Sequence, residues 1–285
     1  MVRLHEDVDG CSCLRCQNID VDVLQRSLTD IAYWSGKLPF RHPTIWLVLG
    51  VVGLIQLAVL VTPTTVSLLL IGVSILGAFI GRGYIGVVGL AEVGHSKQPP
   101  RCAVRTVFRR LPLFLGAVIT VVLLVVLSIA VTVRVLSPSG QWVATVAGVD
   151  PDIAGVGVVM LLSGSIVYIL LKSVFVPEAC FIGGYGPLSA VRVSWQITSF
   201  HRRKVVGILL GFIGLAVLGA VLDTQVAGTG APVALSFELA DTTVVLRSFG
   251  LSLSGLFRFV FDLLVTGFYS GMFVHQYVES TVSAR

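Results

Sequence analysis

Two sets of residues in this chain have types and spacings that could do chemistry. The first is ionisable and lies inside apolar stretches: Arg82 in GAFIGRGYIGVVG, and Arg258 and Asp262 in LSLSGLFRFVFDLLVTGF. Charged side chains at membrane depth are costly and face the protein interior or a wet cavity. Arg258 and Asp262 are four residues apart, which puts them on one helical face. Arg82 falls about ten residues, or roughly 15 Å, from the inner end of its apolar run, close to a bilayer midplane. With Lys172 and Glu178 near the inner end of the fourth run and Glu92 at that of the second, two functions fit Arg82, Arg258 and Asp262. They could line a cavity that takes an anionic headgroup or solute, or relay protons. Alternatively they form a structural cluster in which Asp262 neutralises one arginine and the other reaches carbonyls or water. Two arginines against one carboxylate leave a surplus positive charge, which points to an anion or lipid phosphate.

The second set is GCSCLRCQ, with Cys11, Cys13 and Cys16 within six positions; the remaining two cysteines are Cys102 and Cys180. Cys13-x-x-Cys16 is an acceptable half of a zinc site, to which Cys11 or His5 can add ligands. A self-contained zinc ribbon needs a second C-x-x-C about 15 to 20 residues later, and none follows. The missing ligands would have to come from Cys102 or Cys180. A redox-active thiol and plain free cysteines are the competing readings.

Other catalytic signatures are missing from the sequence. The five histidines are scattered, and none pairs with another histidine or a glutamate at metal-ligand helical spacing. No G-x-S-x-G is present, and GLSLSGL sits in an apolar run where a nucleophile elbow has no place. Asp150 and Asp152 are two apart in DPD and read as a turn opening a helix, with Asp152 near its N-cap. Gly77, Gly81, Gly83, Gly86 and Gly89 give small residues at near-helical spacing, the pattern by which membrane helices approach closely. They follow no strand, so they cradle no nucleotide.

The elements that must position these residues follow from composition. The 285 residues are 55% hydrophobic and 12% charged with a mean hydropathy of +0.94, whereas soluble domains carry about 25% charged residues. Six apolar runs, about 44–61, 65–91, 111–136, 153–176, 205–222 and 248–275, can each cross a hydrocarbon core of about 30 Å. The acidic, polar start MVRLHEDVDG does not read as a cleavable signal peptide. A polar cysteine-containing segment (1–20) therefore precedes a six-helix transmembrane domain (21–285).

Fifteen of the twenty lysines and arginines fall before the first run, between the second and third, between the fourth and fifth, or at Arg285. Basic residues near span ends stay cytoplasmic, so both termini are expected inside a cell membrane, with the segment 223–247 outside and able to hold a short strand or helix. All five cysteines then lie on the reducing side, where a disulfide is disfavoured.

A pattern recurs before each odd-numbered run: VDVLQRSLTDIAYWSGKLPFRH, RCAVRTVFRRLP and PLSAVRVSWQITSFHRRK. Apolar residues at helical spacing and basic residues on another face predict three cytoplasmic interfacial helices, each leading into a transmembrane hairpin. Arg26, Trp34, Arg105, Arg109, Arg110, Arg192, Trp195, Arg202, Arg203 and Lys204 would then meet lipid headgroups, preferably anionic ones. The net charge of +5 belongs to that membrane surface, and nothing points to nucleic acid.

The stretch FVPEACFIGGYGPLSAVRVSWQITSFHRRKVVGILL resembles the signature segment of a broad prokaryotic family of six-span proteins. That family is related to the membrane domain fused to some glycerophosphodiester phosphodiesterases. The resemblance rests on Phe175, Pro177, Gly186, Pro187, Ala190, Arg192, Ser194 and Trp195, is strong over residues 172–212 and elsewhere concerns span count and order. It implies an all-α polytopic membrane domain without an agreed activity; the phosphodiesterase domain itself is missing here. The expected function is a non-enzymatic scaffold, accessory subunit or lipid-interacting module that contacts lipids and other membrane subunits. The alternatives are a small transporter with a polar intramembrane site or an intramembrane lipid-processing enzyme.

Overall fold

In the computed structural model, Ser27 opens the first helix, α1 (Leu28–Arg41), with a capping box. Its Oγ accepts from the Asp30 amide at 3.3 Å, and its own amide donates to the Asp30 carboxylate at 3.3 Å. Two of the orphan donors of the first turn are thereby satisfied. The structure describes residues 27–58, 64–94, 99–136, 151–200, 202–226, 233–239, 242–249 and 253–283. The expected sites at His5, Cys11, Cys13, Cys16 and Arg26 lie outside the described residues, and so does the side chain of Arg258.

Helix α1 stops at His42 because the residue before a proline is pushed out of the helical region. Pro43 then starts α2 (Pro43–Ala58), and the chain turns by 84° between them. The elements that follow are α3 (Thr64–Val93), α4 (Pro100–Val131), a π-helical turn (Thr132–Leu136), α5 (Pro151–Lys172), α6 (Val176–Phe181), α7 (Pro187–Phe200) and α8 (Arg202–Val226). An antiparallel hairpin, β1 (Val233–Leu239) and β2 (Thr242–Phe249), with a bulge between Leu235 and Ser236, occupies the segment expected to be an external loop. The last helix is α9 (Leu253–Ser283).

Among the described residues, three stretches are long and apolar enough to cross a membrane: Leu69–Val93, Pro100–Arg134 and Val156–Phe181; α1 and α2 reach that length and apolarity as a bent pair. The chain is a helical membrane protein, with one β-hairpin among the described residues.

Of the three segments expected as separate helices, the first and third are independent helices, α1 and α7, and the second is not. There the basic segment and the apolar run form one helix, α4, that passes through Pro112 without a break. The reason is a continuous buried stripe, Ala103, Val107, Arg110, Phe114 and Ala117, which packs on both sides of the proline. Tertiary packing on that stripe outweighs the one hydrogen bond that Pro112 cannot donate. The helix of the last apolar run also starts later than expected, since β2 runs to Phe249, and it runs on to Ser283.

The buried core lies at one end of the helices. It takes the C-terminal ends of α3 and α9, the N-terminal ends of α4 and α8, one face each of α1 and α7, and all of α6. Starts and ends of successive long helices meet there, so these helices run antiparallel: α2 packs along α3, α4 against α5, and α8 along α9. Residues 269–281 of α9 are buried throughout and form the axis on which α1, α3 and α8 converge. At the other end the apolar surface faces outward. Only 11% of the most apolar stretch of Pro100–Arg134, and 11% of that of Val156–Phe181, is buried. Among the few polar contacts there is a hydrogen bond between Ser128 and Ser165 at 2.8 Å.

Because lipid is as apolar as leucine, helices in a membrane gain from close contact rather than from leaving water. Gly83 illustrates this: a Cβ there would come within 2.7 Å of the Phe181 ring, so glycine is what lets α6 lie on α3. Phe181 is fully buried and stacked on Phe114 at 5.0 Å, tying α4 to the same contact. The glycine run of α3 is therefore a packing device, as its spacing implied.

Candidate functional site: a buried polar junction and an exposed basic face

The fourth apolar run is broken just before its end, and Ser194 of α7 fastens the break. Its Oγ donates to the Lys172 carbonyl at 2.6 Å and accepts from the Phe175 amide at 3.1 Å. The chain then restarts as α6, with Pro177 in its first turn, where a missing N–H is harmless. All six residues of α6 are buried, Glu178 among them.

Glu178 is the carboxylate partner of Arg82. Nε donates to Oε1 at 2.6 Å and Nη2 to Oε2 at 3.0 Å, a bidentate pair, and Nη2 also donates to the Val174 carbonyl at 2.9 Å. The Phe273 ring covers the guanidinium at 4.5 Å. Glu178 is 2% exposed and Arg82 20%. The pair ties α3 to α6 under the cover of α9. Arg82, expected near the midplane, thus meets a residue assigned to the inner end of the fourth run.

A second arginine closes the junction from α4. Arg110 is 9% exposed and donates through Nη1 to the carbonyls of Phe181 at 2.8 Å and Ile182 at 2.9 Å, the acceptors left over where α6 ends. Its guanidinium also flanks Gly184, whose φ of +64° is the left-handed conformation that only glycine enters without strain. Tyr277 of α9 is fully buried against Gly183, which has no room for a Cβ beside the phenol oxygen. That oxygen has no hydrogen-bond partner among the described residues. Two further ion pairs bind helix ends. Glu92 takes Arg41 at 2.5 Å and His42 Nε2 at 3.0 Å, fixing the α1–α2 corner to α3. Lys204 meets the buried Glu279 at 2.5 Å, joining α8 to α9.

No family model, curated protein or solved structure matches this chain. The chemistry of the site therefore rests on its own geometry.

The expected interfacial residues divide. Arg105, Arg109, Arg192, Arg202 and Arg203 are exposed, Lys204 is half-buried, and Arg110 departs from them because its guanidinium is spent on chain carbonyls. Trp34 departs too: it is buried edge-on to His275, with ring centroids 5.5 Å apart. Trp195 is partly covered by Tyr168. Asp262 is half-buried on α9. Cys102 is exposed at the start of α4, while Cys180 is fully buried in α6. Of the two, Cys102 alone is open to a ligand brought by the N-terminal segment. Among the described residues, no three His, Cys, Asp or Glu side chains are grouped to hold a metal.

The sequence reading missed the pairing of Arg82 with Glu178, 96 positions away. The signal lay in FVPEACF, where a lone glutamate among six apolar residues needs a cation at hand.

Proposed function

We propose that the chain is a non-enzymatic six-span protein of the cell membrane, with both termini cytoplasmic, acting as a scaffold or accessory subunit that also contacts anionic lipid. The spans are α2, α3, α4, α5 with α6, α8 and α9, in three hairpins. The observation that carries this reading is the division of the molecule. A closely packed, ion-paired base sits at the basic end, while the most apolar stretches of α4 and α5 leave nearly all of their length for lipid or for another membrane protein. The segment around Ser194 and Trp195 keeps the resemblance to the six-span family as part of this proposal.

A solute pathway is supported less. With Glu178 on Arg82, the two arginines of the expected cluster are matched in number by two carboxylates, Glu178 and Asp262, and the surplus charge that favoured an anion is gone.

The full chain, purified from native membranes in a mild detergent, is expected to bring down a membrane protein in stoichiometric amount. Recovery of the chain with lipid alone across several detergents would sink the accessory-subunit reading. The orientation has its own check, in a variant with Cys11, Cys13 and Cys16 changed to serine. A membrane-impermeant maleimide is expected to reach the exposed Cys102 only after the cells are opened, and labelling of intact cells would reverse the topology.

A further inference from the structure

The 84° corner between α1 and α2 leaves a groove of about 390 Å³ beside α9, a volume within the range of about 300–1,000 Å³ typical of small-molecule sites. Its long wall is Phe261, Leu264, Val265 and Phe268 of α9. These stand at i, i+3, i+4 and i+7 and so form one face rising about 10 Å along the helix. Its floor is α1, with Gly36 and Phe40, and Trp46 closes the side across the corner, where its ring meets that of Phe40 at 5.7 Å. The one hydroxyl in the wall, that of Ser35, is already given to the Phe268 carbonyl. Nothing in the groove asks for a polar ligand.

On α1 beside these lining residues, though not among them, the chemistry changes. Lys37 follows Gly36, lies one turn from Phe40, and is exposed; its ammonium stands 3.9 Å above the Tyr33 ring and is paired with no carboxylate among the described residues. Arg41 comes one turn later and remains 56% exposed beside Glu92. A cationic foot on the interfacial helix and an apolar channel running from it along a membrane helix have the shape and polarity of an anionic amphiphile.

We propose that this groove is a binding site for an anionic phospholipid, one acyl chain lying along the Phe261–Phe268 face and the phosphate resting at Lys37 and Arg41. The assignment depends on the reading above that α1 lies at the membrane interface, and it deepens that reading by naming the lipid site. It differs from bulk contact with the apolar helices in being a single cavity with a charge at one end.

Photoactivatable phosphatidylglycerol with the reactive group in its acyl chain, at trace level in phosphatidylcholine nanodiscs holding the full chain, tests it. Labelling is expected to saturate and to map to α1, Trp46 and the Phe261–Phe268 face. Gly36→Leu fills the groove from its floor; a Cβ there meets nothing closer than the Phe268 ring at 3.9 Å, and the variant, once shown to unfold at the parent's temperature, should lower the labelling several-fold. Lys37→Gln should keep the labelled positions and remove the preference for phosphatidylglycerol over an equally photoactive phosphatidylcholine. Label spread evenly over α4 and α5, or unchanged in Gly36→Leu, would overturn the site. Equal labelling by both lipids in the unaltered chain would overturn the headgroup assignment. If the groove in native membranes is instead crosslinked at Phe40 to another protein and takes no lipid label, a partner rather than a lipid occupies it. None of these readouts depends on whether a protein partner copurifies, so the two proposals stand or fall separately.

Discussion

Glu178→Ala is expected to destabilise the folded chain by about 3–5 kcal/mol, the cost of leaving a buried charge without its partner. The guanidinium of Arg82 would keep only the Val174 carbonyl and the face of Phe273, neither of which carries a compensating charge. Arg82 is 20% exposed, so some water can reach it and the lower part of that range is the better expectation. Replacing both members, Arg82→Met with Glu178→Met, removes two desolvated charges and fills similar volume, so most of the lost stability should return. Thermal unfolding of the purified protein in detergent, read by loss of monodisperse species, measures all three variants. A Glu178→Ala protein within about 0.5 kcal/mol of the parent, the scatter of ordinary surface changes, would mean that the pair carries no structural weight.

The double variant also separates two roles for the same atoms. A structural tie is fully replaced by two methionines, because only shape and charge balance are required of it. A pair that binds a solute or relays a proton is not replaced, because apolar side chains accept neither. If the double variant folds and still assembles with its partner, the pair is a fastener between α3 and the break after α5. If it folds but loses flux of a solute, the transporter reading regains its ground.

The apolar runs were legible because their signal is local. The second run, 65–91, was expected within two residues of α3 at each end. The capping box at Ser27 and the proline after His42 are local signals of the same kind for α1, though the expectations above drew no boundary from them. Which basic residues stay on the surface was legible too, but in helical position rather than in residue type. In RCAVRTVFRR four arginines look alike, yet Arg110 lies on the stripe of Ala103, Val107, Phe114 and Ala117, and the helical repeat alone separates it from Arg105. Trp34 shares a stripe with Ile31 and Leu38 in the same way, and its burial follows from α9 lying on that face. The partner of Arg82 was out of reach, since pairing across 96 residues depends on where α6 docks and not on spacing.

Arg110 and Arg105, five positions apart on one helix, should answer opposite questions. Arg110→Ala removes two charge-assisted hydrogen bonds and leaves the Phe181 and Ile182 carbonyls buried without their donor. Unmet buried groups cost about 1–3 kcal/mol each, so a loss of about 3 kcal/mol is expected, with the turn at Gly184 loosened. Binding to anionic vesicles, measured on whatever fraction remains folded, should be unchanged, because that guanidinium does not reach the headgroups. Arg105 is exposed, and Arg105→Ala should leave unfolding within about 0.5 kcal/mol of the parent. It should weaken association with phosphatidylglycerol vesicles by about 1 kcal/mol, an effect that salt screens. Arg110→Lys sharpens the comparison: a lysine keeps the charge but cannot span two carbonyls with one planar group, so it should rescue little of the stability. If instead Arg110→Ala weakens vesicle binding and leaves unfolding untouched, the guanidinium faces lipid, and the α6–α7 turn must be held by something other than α4.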